Sequence, residues 1–432
     1  MKSRGIRVWL IGLVFAVAAI GLFNGCANDE KKLPVNSTDT EMISDAESKP
    51  QKTDSAPSEE EPSKPQDNWK QYKKTVNLNS DSEGIKILGE RILEDSEQLN
   101  CDWTCSGFEF VAEIKGGNLS VRTSVSSPAY FRVYVDGEEW KNADGTPYFP
   151  IEGTQNLVIF GIPVGVHTIR IIKVTGYTLS RAQFYSMTFY GELLTEQVPA
   201  DHDLYIEFVG DSISCGWGTI GDYGGAYTDQ DGALAYPYQI AQEMNVDYSV
   251  TALSGQGLLM GNPGMTKGYL YGSPLRSTET EYAFSRKADI VVVNIGTNDY
   301  GYRNQYNITE EAFRKAYRDF LLTVFQKNGE ACKIYCLYNT MNDTYADAIL
   351  EVCEELGGEE AGIYTFRMNR ITPGKHPSLE EHRMYTEVLT DFIKQTKDQE
   401  VSSQHPGQTD APLTVIEAGN GIEVSYSDPS WD

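Results

Sequence analysis

The chain has 432 residues and a formal net charge of −26, with 36 Lys and Arg against 62 Asp and Glu. So acidic a chain lacks the basic footprint that recognition of a phosphate backbone requires, which excludes nucleic acid as a partner. The same charge suits a strongly anionic substrate poorly and a neutral polymer well. Beyond Cys26, the cysteines are Cys101, Cys105, Cys215, Cys332, Cys336 and Cys353. They show neither metal-site spacing nor a dense disulfide framework, and no His, Cys and carboxylate cluster points to a metal, so no metal and no cofactor is expected.

Residues 1–25 read as an export signal. Lys2, Arg4 and Arg7 precede an apolar run over 8–23, short for a spanning helix and suited to a signal core. Gly25 and Cys26 then resemble the end of a bacterial lipobox, in which the cysteine is lipidated and becomes the mature N-terminus. Phe23 and Asn24 depart from the usual aliphatic and small residues, so cleavage without lipid and an uncleaved anchor stay open. Residues 27–68 contain no aromatic and repeat Ser, Pro, Glu, Asp and Lys. Such a stretch cannot bury enough apolar surface to offset its ordering entropy and reads as a disordered tether over 26–68. Export would permit a Cys101–Cys105 bridge, which the sequence does not decide.

Over 69–198 the apolar residues recur with period two. Phe108, Phe110, Ala112 and Ile114 alternate, as do Phe131, Val133 and Val135 before the turn signal Asp136 and Gly137. Further runs cover 157–160, 167–174 and 183–190, with no helix between them. This predicts an all-β sandwich, a jelly roll. After Pro199 the pattern changes. Strands are predicted at 204–209, 248–252, 289–294, 333–338 and 363–367, alternating with helices near 235–244, 310–326, 345–356 and 378–395. Strand–helix alternation implies a parallel sheet covered on both faces, an α/β domain over 199–398. Ser378 and Glu381 form a capping box at the start of the last helix. Residues 399–432 form a polar tail without a clear role.

Four short blocks mark the ends of these elements. Gly210, Asp211 and Ser212 follow the first parallel strand; Ser254, Gly255, Gln256 and Gly257 follow the second. Gly296, Thr297, Asn298 and Asp299 follow the third, and His376, Pro377 and Ser378 precede the last helix. In this order the blocks resemble the GDSL or SGNH hydrolases, over roughly 205–397. A β-sandwich ahead of such a domain is similar to carbohydrate esterase family 2, and Trp103 to Gly107 and Val135 to Gly137 support the closer match. The resemblance implies a three-layer, flavodoxin-like SGNH domain preceded by an all-β jelly roll. It also implies removal of acetyl groups from plant polysaccharides such as xylan or mannan, with an acetylated polysaccharide or oligosaccharide as partner and a membrane touched only through the N-terminal lipid.

Ester hydrolysis through an acyl-enzyme needs a nucleophile, a base and donors for the developing oxyanion. The resemblance assigns these to Ser212, to His376, and to the amides of Ser212 and Gly255 with the Asn298 side chain. Gly257 is the alternative to Gly255. Of the histidines, only His376 lies in a loop directly before a helix start. Asp211 and Asp299 read as structural, each bonding backbone amides, and Glu380 and Glu381 as helix-start charges. The family places an aspartate three residues before the histidine, where this chain has Pro373. A backbone carbonyl is expected to orient His376 instead, giving a Ser–His dyad. Trp217 and Tyr300 are the substrate-binding candidates, with Tyr223, Tyr227 and Tyr302 nearby, because aromatic faces suit sugar rings. Two other readings stay open: a GDSL carboxylesterase acting on lipid or cell-wall glycan, and a polysaccharide-binding protein that has lost catalysis.

Overall fold

The structure, a computed structural model, describes residues 68–401 apart from 222–225, 262–263, 280, 344 and 372–373. The expected export signal, Cys26, the tether up to residue 67 and the tail beyond residue 401 lie outside the described residues, as do Tyr223 and Pro373.

The period-two region forms β1 (Lys73–Asn77), β2 (Lys86–Leu88), β3 (Leu99–Asn100), β4 (Gly107–Val125), β5 (Ala129–Val135), β6 (Glu138–Trp140), β7 (Phe149–Ile151), β8 (Thr154–Ile159), β9 (Gly165–Lys173) and β10 (Ala182–Leu193). Every pairing is antiparallel. β4 is the spine. Its residues 107–114 pair with β9 and its residues 119–124 with β8, while β10 runs along both halves. The changeover falls at Gly116 and Gly117, both at positive φ, and a Cβ on Gly117 would stand 2.6 Å from the Tyr190 ring. Only glycine fits where the strand must turn so closely over its neighbour. Asp136 and Gly137 both adopt positive φ, as a two-residue hairpin between β5 and β6 requires. The alternating Phe108, Phe110, Ala112, Ile114, Phe131 and Val133 all point into one apolar core.

The second region forms β11 (Tyr205–Gly210), β12 (Asp247–Ala252), β13 (Ile290–Asn294), β14 (Lys333–Tyr338) and β15 (Ile363–Arg367), all parallel, in the order β12-β11-β13-β14-β15. Its helices are α1 (Tyr236–Met244), α2 (Met265–Gly268), α3 (Thr297–Gly301), α4 (Arg303–Tyr306), α5 (Glu310–Asn328), α6 (Ala346–Glu355) and α7 (Leu379–Thr396). α2, α3 and α4 escape sequence reading because four or five residues cannot display a 3.6-residue period. One sheet face, with Val209, Val291, Val293 and Ile334, packs on Phe313, Tyr317 and Phe320 of α5 and Ile349 and Val352 of α6. The other, with Phe208, Val292, Tyr335 and Leu337, packs on Ile240 of α1 and Tyr385, Leu389 and Ile393 of α7. This is the three-layer α/β domain expected from the alternation of strands and helices.

The two domains share these cores. Trp103 and Tyr177 of the β domain join the first cluster, and Leu88, Cys105, Ile172 and Val174 join the second. The cysteines among the described residues are buried free thiols, so Cys101 and Cys105 are not bridged.

Candidate active site

β11 ends at Gly210, where a Cβ would stand 2.1 Å from Ser214 Oγ, so the strand can run into the turn only without a side chain. The chain then winds tightly: Cys215 N–H donates to Asp211 O at 3.1 Å, Gly216 N–H to Ile213 O at 3.2 Å, and Trp217 N–H to Ser212 O at 3.1 Å. Asp211 fastens the start of the turn by accepting the Ile213 N–H at 3.0 Å. Because β12 and β13 flank β11 on opposite sides, Ser212 stands at the switch point of the sheet, where open α/β folds hold their ligands.

His376 arrives from the loop between β15 and α7, and its Nε2 lies 2.7 Å from Ser212 Oγ. The loop is tied at both ends by one carboxylate. Glu381 accepts the Ile371 N–H at 2.8 Å and the Ser378 N–H at 2.9 Å, and the Ser378 hydroxyl accepts the Glu381 N–H at 3.3 Å. Glu381 is therefore more than the helix-start charge read from sequence, whereas Glu380 is exposed. Burial pushes the His376 imidazole down to about 4, so it is neutral at physiological pH and offers a lone pair to the serine proton.

The remaining blocks converge on the same point. Gly255 has φ +75°, a conformation that glycine adopts freely. Gly257 is occupied differently: a Cβ there would stand 2.2 Å from Asp299 Oδ2. Asp299 accepts the N–H groups of Leu258, Leu259 and Met260 at 2.8, 2.9 and 3.1 Å, and so holds the loop after Gly257. Both aspartates thus bond backbone amides, as expected. The Asn298 amide, on α3, donates to Gln256 O at 2.8 Å and to Asp211 Oδ2 at 3.2 Å. It thereby joins the nucleophile turn to the Gly255 turn. Among the described residues the backbone N–H groups of Ser212 and Gly255 donate to no other backbone group. Burial, with the Asp299 charge adding to it, pushes the Asp211 carboxyl up to about 7.

Trp217 stacks beside His376, with ring centroids 5.8 Å apart and planes 28° apart. Tyr300 is half-buried: its edge meets Tyr345 at 5.4 Å between centroids, and the Arg303 guanidinium lies 3.8 Å over its ring. Ser214 is buried and hydrogen-bonded to the Tyr236 hydroxyl at 2.9 Å, remote from nucleophilic work. His382, read from sequence as a residue inside the last helix, is fully buried; its Nδ1 accepts the Tyr236 N–H at 3.3 Å, and burial pushes it down to about 3. The capping box gave the Ser378 end of the Glu381 clamp, but neither the burial of His382 nor the bond from Ile371 to Glu381 leaves a pattern in the sequence.

A serine hydroxyl 2.7 Å from the ring nitrogen of a buried histidine, at the end of a parallel strand, is an arrangement suited to ester hydrolysis. Residues 208–385 match the GDSL-like Lipase/Acylhydrolase family. The cellulase/esterase CelE of Acetivibrio thermocellus is 27% identical over 336 residues, covering 73% of this chain and 40% of that protein, so the chain spans well under half of that relative. A family two carbohydrate esterase from Clostridium thermocellum, solved in complex with cellohexaose, is 25% identical with a TM-score of 0.63, covering 72% of this chain and 98% of that one. An acetyl xylan esterase from the rumen bacterium Butyrivibrio proteoclasticus shares the fold, with a TM-score of 0.63 at 19% identity over 76% of this chain and 100% of that one. The likeness to family 2 carbohydrate esterases read from the sequence is borne out.

Proposed function

We propose that the protein is an exported O-acetyl esterase that removes acetyl groups from hemicellulose or its oligosaccharides. The observation that carries this reading is the 2.7 Å contact between Ser212 Oγ and His376 Nε2 at the switch point of the sheet. Neutral His376 takes the Ser212 proton as Oγ attacks the acetyl carbonyl, and the oxyanion forms against the Ser212 and Gly255 amides and the Asn298 side chain. Collapse breaks the ester C–O bond, and protonated His376 returns its proton to the leaving sugar oxygen. A water that gives its proton to His376 then attacks acetyl-Ser212; the Ser212 oxygen leaves with that proton, and acetate is released.

The carbohydrate side of the reading is supported by the cellulase/esterase relative and by the relative solved with cellohexaose. The net charge of −26 suits a neutral chain, and Trp217 offers an apolar ring face next to the catalytic pair. Acetate release from acetylated xylan, acetylated glucomannan and an aryl acetate tests it, with activity expected on at least one polysaccharide. Turnover of the aryl acetate alone would move the function to another class of ester, and no turnover at all would leave a binding protein. The export signal and Cys26 support a lipid-anchored location outside the membrane. A mature N-terminus without lipid, seen by mass spectrometry of the native protein, would overturn that part.

A further inference from the structure

The turn that carries Trp217 is not held by the hydrolase domain alone. Trp217 forms an isolated antiparallel bridge with Gln230, and Thr219 Oγ1 donates to Gly216 O at 2.8 Å while accepting the Asp231 N–H at 2.9 Å. Gln230 and Asp231 are fully buried against the β domain. Gln230 Oε1 accepts the Gly176 N–H at 3.0 Å, and the Gly232 N–H donates to Val174 O at 2.9 Å. The Asp231 carboxylate accepts the Ala233 N–H at 2.9 Å, Arg132 Nε at 2.7 Å and Nη2 at 2.5 Å, and the Tyr148 hydroxyl at 3.0 Å. Arg132 lies on β5, 4% exposed, and pairs also with Glu139 of β6. Tyr148 stacks on Tyr130 at 4.7 Å, and Tyr130 meets Tyr227 edge-on at 5.0 Å. On its other side the same turn covers His376, through the Trp217 ring and through Gly218, where a Cβ would stand 3.8 Å from His376 Cβ.

We infer that Arg132, assisted by Tyr148, is a positioning residue for the proposed esterase: acting from the β domain through Asp231, it holds the 216–219 turn so that Trp217 stays over the His376 ring. The inference rests on the Ser212–His376 reading. The physical argument is that Asp231 has no exposure to water and burial raises its carboxyl, with the Arg132 charge opposing that rise. Without Arg132 the carboxylate is buried with no counter-charge, and it must take up a proton or shift toward solvent. Either response disturbs the Asp231–Thr219–Gly216 bonds. His376 faces Ser212 and Trp217 from the nucleophile turn and His382 from α7. If Trp217 lifts, water reaches the imidazole, the effect of burial shrinks, and the base stays protonated to higher pH.

The test uses the full chain with Arg132→Met, Arg132→Lys, Tyr148→Phe, Trp217→Ala and the Arg132→Met/Trp217→Ala pair. Two quantities are read: the pH profile of kcat/KM on an aryl acetate, and the His376 titration by NMR of histidine-labelled protein. Arg132→Met should raise the acid limb and the His376 midpoint by about one unit, with kcat down about tenfold, and Arg132→Lys should recover part of both. Trp217→Ala should give the same shift, and the paired variant should add little to it, as expected for residues acting through one contact. If Arg132→Met fails to fold, Tyr148→Phe decides, with a smaller shift of the same sign expected. An unmoved His376 titration in the folded variants, or shifts that simply add in the pair, would overturn the inference. Absence of ester turnover in the unmodified chain would instead defeat the esterase reading, while the NMR titration would still report on the coupling.

Discussion

Protonation of His376 sets the acid limit of the proposed reaction, because only the neutral imidazole can accept the Ser212 proton. Burial holds that group at about 4. Activity is therefore expected to fall as pH drops through about 4 and to stay level from pH 6 to 8, where the base is already free. A kcat/KM profile with its acid limb near 6.5 would contradict a desolvated His376. The same residue bears on stability. His376 and His382 have folded-state values of about 4 and about 3, below the unfolded value, so the unfolded chain binds more protons as the solution is acidified. Their contribution is present above about pH 6.5 and is lost as pH falls toward 4 and 3. At the nucleophile, Ser212→Ala should leave the fold intact and lower acetate release by a factor of about 10³ or more. Asn298→Ala should cost about 10²–10³ in kcat if its amide faces the oxyanion. A folded Ser212→Ala chain with undiminished turnover would end the acyl-enzyme mechanism.

Among the elements, α7 and the loop before it carry the most testable claim. The capping box makes Ser378 the first residue to satisfy the helix N-terminus, and Ser378→Ala should cost about 1 kcal/mol of stability, read by denaturant unfolding. Glu381→Ala should do more, since it also frees the Ile371 end of the His376 loop. A loss of kcat larger than that of Ser378→Ala is expected, and equal losses would show that the clamp has no part in placing the base. The boundaries of β11 to β15, α1 and α5 to α7 were legible within a residue or two, because alternation and helical period are local properties of the chain. Gly255 and Gly257 differ in conformation: Gly255 takes the left-handed φ, and Asp299 fills the space at Gly257, a difference that favours Gly255 in the proposed role.

At the scale of the molecule, the β domain is part of the hydrolase rather than an appendage. Arg91, in the loop after β2, is 1% exposed and pairs with Glu207 of β11, while its Nη1 donates to Tyr269 O at 2.6 Å. Its guanidinium lies 4.4, 4.5 and 4.8 Å from the Tyr269, Phe284 and Tyr282 rings. Glu207 accepts in addition from Thr251 Oγ1 and the Tyr269 hydroxyl, each at 2.8 Å. Arg91→Ala would leave this carboxylate buried without its charge partner, at an expected cost of about 3–5 kcal/mol. A chain beginning at Asp201 should melt well below the full chain, and equal melting temperatures would refute the shared cores. By itself, the sequence determined the two fold classes and their order along the chain, and it marked Ser212, Asn298 and His376 as candidates, because periodicity, turn chemistry and strand-end motifs are written over a few consecutive residues. Only the tertiary structure decided that Arg91 meets Glu207, that Arg132 meets Asp231, and that Glu381 closes the His376 loop. In the two interdomain pairs the partners lie about a hundred residues apart, and all three are single charged side chains whose burial depends on the packing of distant strands, so no local pattern marks them.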